Sequence, residues 1–207
     1  MTETEQHGNS NLSNQGKRTL SLAVVVVFSA LIAIGTIVSI RMPKPLYEIT
    51  WAPAVYLALG YLTDKKTSFS ATALGSFIGE LVNITFYGGG SIIYPFGMIW
   101  ARGPEAIIVG FSRGKRRRWI VVSMVLATVY ETMAFYVSDG LFYAFGLFGY
   151  GSPSGLLPGF ELASSDLLTM VDLIFIPISL AVIEVGKPYF ARMGFLDFKK
   201  EVATKAV

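Results

Sequence analysis

The stretch TSFSATALGSFIGELVNITFY (67–87), GGGS (88–91), IIYPFGMIWARGPEAIIVGF (92–111) and SRGKRRR (112–118) decides the fold class. Two apolar runs, each close to the roughly 20 residues that a helix needs to cross a bilayer core, are joined by a glycine turn and closed by a basic block. The pattern predicts a transmembrane hairpin. Its first arm carries Glu80 and Asn83, and its second carries Arg102 and Glu105. Such groups are costly in hydrocarbon unless they face protein, water or a ligand, so these four positions are expected close to the protein's function.

Apolar runs continue on both sides of the hairpin. Residues 20–40 follow Lys17 and Arg18; the run is too long for the core of a signal peptide and lacks a small-residue cleavage site, so a retained helix is expected. Residues 46–62 form a shorter run, interrupted by Glu48 and Pro53, that enters obliquely after a structured loop at 41–45. Residues 119–137 and 167–190 supply two more runs, with an aromatic and glycine-rich connection at 139–165 between them. The expected fold is an all-α integral membrane protein of six transmembrane helices. Its divisions are a disordered cytoplasmic tail at 1–17, a membrane domain at 18–192 and a cytoplasmic tail at 193–207.

Composition points the same way. The chain is 53% hydrophobic and 15% charged, whereas soluble domains carry about 25% charge. The net charge of +3 is no nucleic-acid footprint, because the basic residues sit in loops between apolar runs and no platform of interleaved basic and aromatic residues accompanies them. With the N-terminus placed in the cytoplasm, fourteen Lys and Arg fall in inner loops and tails, and only Arg41 and Lys44 fall outside. That bias predicts both termini inside, in a multi-pass protein of the cell membrane.

This topology assigns depths. Glu80 lies thirteen residues into a rising helix, so about 20 Å up a core of about 30 Å. Glu131, twelve residues past Trp119, comes out at a similar height, and Arg102 falls near the middle. Asn83, Tyr87, Tyr94, Phe135, Tyr136, Asp139 and Asp172 join them in the outer half, which predicts an outward-facing polar and aromatic pocket. Plainer roles stand beside this one. Arg102 could neutralise Glu105, three residues away, or pair with Glu80 across the hairpin. Gly103-Pro104 reads as a kink, Trp119 beside the basic block as an interfacial anchor, and the glycines at 88–90 as a tight turn.

Catalytic signatures fail on inspection. The string from Gly110 to Arg116 has a phosphate-loop flavour, but its glycines are mis-spaced, Arg116 stands where Ser or Thr is needed, and it follows an apolar helix instead of a strand. With no cysteine, and with His7 as the sole histidine in a polar tail, there is no thiol nucleophile, serine triad or histidine-based zinc site to build. Asp139, Asp166 and Asp172 lack the paired motifs of an intramembrane aspartyl protease. A non-enzyme without metal or cofactor is expected.

The string Tyr94-Pro-Phe-Gly-Met-Ile-Trp-Ala-Arg-Gly-Pro-Glu-Ala-Ile-Ile-Val-Gly110, the preceding Ala73-Leu-Gly-Ser-Phe-Ile-Gly-Glu80, six short helices and a first helix with spaced small residues resemble the substrate-binding S component of an energy-coupling factor (ECF) vitamin transporter. The likeness covers about residues 18–192. It implies a membrane protein that captures a small vitamin-like ligand outside the cell and hands it inward with a membrane coupling (T) subunit and a pair of cytoplasmic ATPases. By position it brings Tyr47, Glu48, Trp51, Glu80, Asn83, Tyr94, Glu131 and Phe135 to the ligand, with Arg102 available to a carboxylated one. It also implies that Ser29 and Ala33, two small residues four apart, face the coupling subunit; small side chains permit close helix approach in lipid. Aromatic faces beside carboxylates suit a planar cationic heterocycle, with thiamine or its pyrimidine precursor first and riboflavin second. The rival readings are a stand-alone secondary transporter or channel, and a structural membrane subunit without ligand.

Overall fold

The computed structural model describes residues 14–41, 48–87, 91–147 and 155–196, so Tyr47 and the glycine turn at 88–90 lie outside the described residues. The described residues are helical almost throughout. α1 (Asn14–Ile37) leads into a small antiparallel hairpin, β1 (Ser39–Arg41) with β2 (Glu48–Thr50), whose register pairs Arg41 with Glu48. α2 (Ala52–Leu62), α3 (Lys65–Tyr87), α4 (Tyr94–Gly110) and α5 (Arg117–Ala144) follow. The last stretch is one helical run in three parts: α6 (Leu156–Leu162), a 3-10 segment (Ala163–Phe175) and α7 (Ile176–Arg192). Among the described residues four helices are long and apolar enough to cross a membrane: Gln15–Ile37, Lys65–Phe86, Arg117–Ala144 and Leu156–Arg192.

Several boundaries differ from the expected ones. α1 starts at Asn14, inside the stretch expected to be a tail. The expected second span shrinks to the eleven residues of α2, about 16 Å of helix against a core of about 30 Å. Ten of those eleven residues are buried, because α2 runs through the middle of the bundle with α1, α3, α4 and α7 around it. Its all-round apolarity reflects contact with protein on every side, the other circumstance that makes a helix hydrophobic all round. α5 continues past Asp139 to Ala144, two turns beyond the expected end, since Gly140 there is a packing glycine and no breaker. A Cβ on Gly140 would stand 2.5 Å from the Phe160 ring, and one on Gly159 would stand 2.6 Å from the Gly140 carbonyl oxygen, so these glycines set how closely α6 lies on α5.

Local chemistry starts and stops these helices. Asp64 caps α3: its Oδ1 accepts the backbone N–H groups of Lys66 and Thr67, and its Oδ2 accepts the Thr67 hydroxyl at 2.6 Å. Proline stands in the first turn of α2, α4 and α7, where its missing N–H has no helical partner to lose. At the other end of α2, Arg113 from the loop after α4 donates to the carbonyls of Tyr61 and Gly60, placing positive charge where the helix leaves acceptors open.

The core is largely apolar, with Ile32, Leu57, Met124 and Ile183 fully enclosed, but the surface is unlike that of a soluble protein. Leu22, Val26, Val27, Ile34, Trp100, Leu126 and Val185 are exposed, while Glu80, Arg102, Glu105, Glu131, Asp139 and Asp172 are buried. Water would favour the reverse arrangement, and a hydrocarbon surround is compatible with this one.

Candidate functional site

The buried polar groups form two tiers between α4, α5 and the 3-10 segment. In the inner tier Arg102 Nε donates to Glu131 Oε1 at 2.9 Å, with both side chains almost wholly enclosed. Tyr56 from α2 donates its hydroxyl to the other carboxyl oxygen, Oε2, at 3.3 Å, and the Arg102 guanidinium lies 5.9 Å from the centre of the Tyr56 ring. Asp172, from the 3-10 segment, adds its charge to those of Glu131 and Arg102. Glu105 is fully buried one turn below Arg102 and meets the Glu131 carboxyl group. Three acids therefore surround one base. Neither oxygen of Glu105 receives a hydrogen bond, and Arg102 Nη1 lacks an acceptor among the described residues.

The outer tier is built by α3, α4, α5 and the 3-10 segment. Tyr94 stacks on Phe135 with ring centres 6.0 Å apart and interacts electrostatically with Glu80, Asp139 and Asp166. Asp139 and Asp166 lie within hydrogen-bonding reach of each other. Asn83 donates to the Thr36 carbonyl at 3.3 Å and, at 3.5 Å, faces Glu80 Oε2.

Winding of the 3-10 segment aligns its polar residues. Ala163, Asp166, Thr169, Asp172 and Phe175 recur every third residue. At three residues per turn they fall on one face, whereas in an α-helix each such step would stop about 60° short of a full turn. That face packs on α5. Ala163, Asp172 and Phe175 are buried, and the Thr169 hydroxyl donates to the Asp166 carbonyl at 2.6 Å, within the segment.

The expected site residues divide accordingly. Arg102 and Glu131 meet directly, while Glu80, Asn83, Tyr94 and Phe135 gather in the outer tier. The Arg102 partner is corrected: among the described residues its ion pair is neither with Glu105 on its own helix nor with Glu80 across the hairpin, but with Glu131 on α5, because Arg102 and Glu131 occupy facing positions of packed helices. Trp51 stands at the mouth of α2, 43% exposed, with its ring edge-on to Phe175 at 5.5 Å. Glu48 is placed by its backbone in β2, opposite Arg41. Tyr47 lies outside the described residues.

Ser29 and Ala33 do not present a free surface. Both are buried, Ser29 donates its hydroxyl to the Ala71 carbonyl at 3.2 Å, and α3 sets Gly75 and Gly79 directly against them. A Cβ on Gly75 would come 2.6 Å from the Ser29 carbonyl oxygen, and one on Gly79 2.9 Å from that of Ala33. The two small-residue pairs are complementary halves of one close helix crossing within the chain. Tyr56 and Asp166 were not among the expected site residues. The spacing of three through Asp166, Thr169 and Asp172 is the signal that would have drawn attention to Asp166; Tyr56 sits in an apolar run with no such mark.

Comparison of the chain with protein-family models, with curated proteins and with solved structures finds no match.

Proposed function

We propose that this protein is the substrate-binding S component of an ECF-type transporter, capturing a small vitamin-like molecule from outside the cell for ATP-driven uptake. The observation that supports this most is the interior polar site: side chains from α2, α4, α5 and the 3-10 segment converge on Arg102 and Glu131, inside a bundle whose outer surface is apolar. A merely structural subunit gains little from five buried acids beside one buried arginine, because each unpaired charge is costly in a dry interior. A binding site can hold such groups for a ligand to complete.

In this reading six helical segments embed in the membrane, with α2 and α4 as shorter members and both termini in the cytoplasm. The outer tier faces the entry side. Thiamine or its pyrimidine precursor is the preferred cargo, followed by riboflavin. The partners are a membrane coupling subunit and two cytoplasmic ATPases, and this chain does no chemistry of its own. Because Ser29 and Ala33 are occupied by α3, the lipid-facing side of α1, around Ala30 and Ile34, is the surface left for the coupling subunit. Reconstitution in proteoliposomes with a coupling module tests the proposal: labelled thiamine should accumulate only with ATP inside and all subunits present. Uptake by this chain alone, driven by an ion gradient, would instead favour a secondary transporter, the second reading that the buried acids support.

A further inference from the structure

The two tiers are in register by an arithmetic that involves both helix types. On α5, Glu131 and Asp139 are eight residues apart, about 12 Å at about 1.5 Å per residue. On the 3-10 segment, Asp172 and Asp166 are six residues apart, about 12 Å at about 2.0 Å per residue. An α-helical winding of the same six residues would span about 9 Å and would turn one aspartate away from α5. The result is a ladder with two acidic rungs: Asp139 with Asp166 outside, and Glu131 with Asp172 inside. A 3-10 run of thirteen residues is unusually long, since its hydrogen bonds are poorer than those of an α-helix, and this alignment is what it achieves.

Each rung has fewer donors than carboxylate oxygens: Arg102 and Tyr56 donate to Glu131 alone on the inner rung, and Ser138 is in reach of Asp139 on the outer one. Carboxylates are acceptors only, so two that face each other require a proton or a donor from elsewhere. Arg102 neutralises Glu131 but leaves Asp172 and Glu105 without a counter-charge of their own. Independently of the charge count, Glu105 is completely enclosed and neither of its oxygens receives a hydrogen bond among the described residues, and Asp166 Oδ2 and Thr132 Oγ1 are also buried with no hydrogen-bond partner there. Buried polar atoms are satisfied in the great majority of native sites, so a run of open acceptors points to absent donors.

We propose that this ladder binds an elongated organic cation carrying N–H or O–H donors at both ends, one end on Asp139 and Asp166 and the other among Glu105, Glu131 and Asp172. The inference rests on the reading of the interior as a ligand site and narrows its cargo to two-headed cations. Asp166 and Asp172 become ligand-contact residues, and the winding of residues 163–175 becomes the device that sets the distance between heads.

Calorimetry on the purified full chain in nanodiscs tests this with spermidine and thiamine as elongated cations, n-butylamine as a one-headed cation and benzoate as an anion. At least one elongated cation should bind ten times or more tighter than n-butylamine, and benzoate should not bind. Asp139→Asn and Asp172→Asn should each weaken binding of that elongated cation ten times or more. Failure of both elongated cations to exceed n-butylamine, or benzoate affinity equal to theirs, overturns the proposal; this comparison uses the unaltered protein and so does not depend on the variants folding. ATP-dependent uptake of a neutral or anionic cargo would sink the ladder proposal and leave the transporter reading intact. Tight spermidine or thiamine binding without any uptake alongside a coupling module would do the opposite.

Discussion

The hydroxyl of Tyr130 on α5 donates to the carbonyl of Trp100 on α4 at 3.1 Å. That carbonyl is the one Pro104 leaves open, because proline has no N–H to return to the residue four positions earlier. The stretch of α4 that carries Arg102 and Glu105 into the interior is thus tied to the neighbouring helix where Pro104 removes a backbone bond. Tyr130→Phe should lower stability by about 1 kcal/mol. Pro104→Ala restores the helical bond, so in that background Tyr130→Phe should cost much less. A double-mutant cycle on thermal unfolding in detergent measures the coupling, and strict additivity would show that the hydroxyl and Pro104 are independent.

Arg102 and Glu131 should be unequal to their replacements. Breaking a buried pair leaves a charge without its partner, at about 3–5 kcal/mol. Arg102→Gln and Glu131→Gln should each reduce the yield of folded protein, and the joint Arg102→Met, Glu131→Leu variant should recover part of it. Size-exclusion profiles and thermal stability report the outcome. If both single variants fold like the parent, the pair carries little of the architecture.

The α1–α3 crossing gives a third expectation. Ala33→Trp forces a large ring into the space held by Gly79 and should destabilise the isolated chain by at least the 1–3 kcal/mol typical of overpacking. Ala30→Trp, on the exposed side of α1, should fold normally and, if the coupling subunit docks there, block complex formation. Pull-down of the two variants with the coupling subunit, after a folding check, separates internal packing from docking. A well-folded Ala33→Trp protein that cannot assemble would return the interface to Ser29 and Ala33.

Glu80→Gln keeps the shape of the outer tier and removes a charge. A hydrogen bond to a charged group is worth about 1.5–3 kcal/mol, so thiamine affinity should fall by about ten- to a hundredfold. Unchanged affinity in a folded variant would make Glu80 part of the Asn83 and Thr36 network only.

Much of this architecture was legible in the sequence, and the misses share a cause. The helix pair α3 and α4 and the interior acids followed from run length and from the cost of charge in hydrocarbon, both properties of single helices, although α4 at 17 residues is shorter than the expected second arm. What periodicity does not carry is which helix faces which. Arg102 finds Glu131 across packed helices, the small pair on α1 finds its glycines on α3, and α2 is apolar because protein surrounds it. The 3-10 winding was written in the spacing of Asp166, Thr169 and Asp172. Without a partner helix in view, that spacing looks like scattered polar residues in an apolar run.

Mass spectrometry of small molecules released from the purified, unaltered protein tests the central claim most directly. The account predicts a vitamin-like organic molecule released near one equivalent per chain, cationic if the ladder holds it, and absent from an Arg102→Met, Glu131→Leu protein that still folds. Protein that repeatedly releases no small molecule, and whose thermal stability is indifferent to thiamine, riboflavin and spermidine, would contradict it.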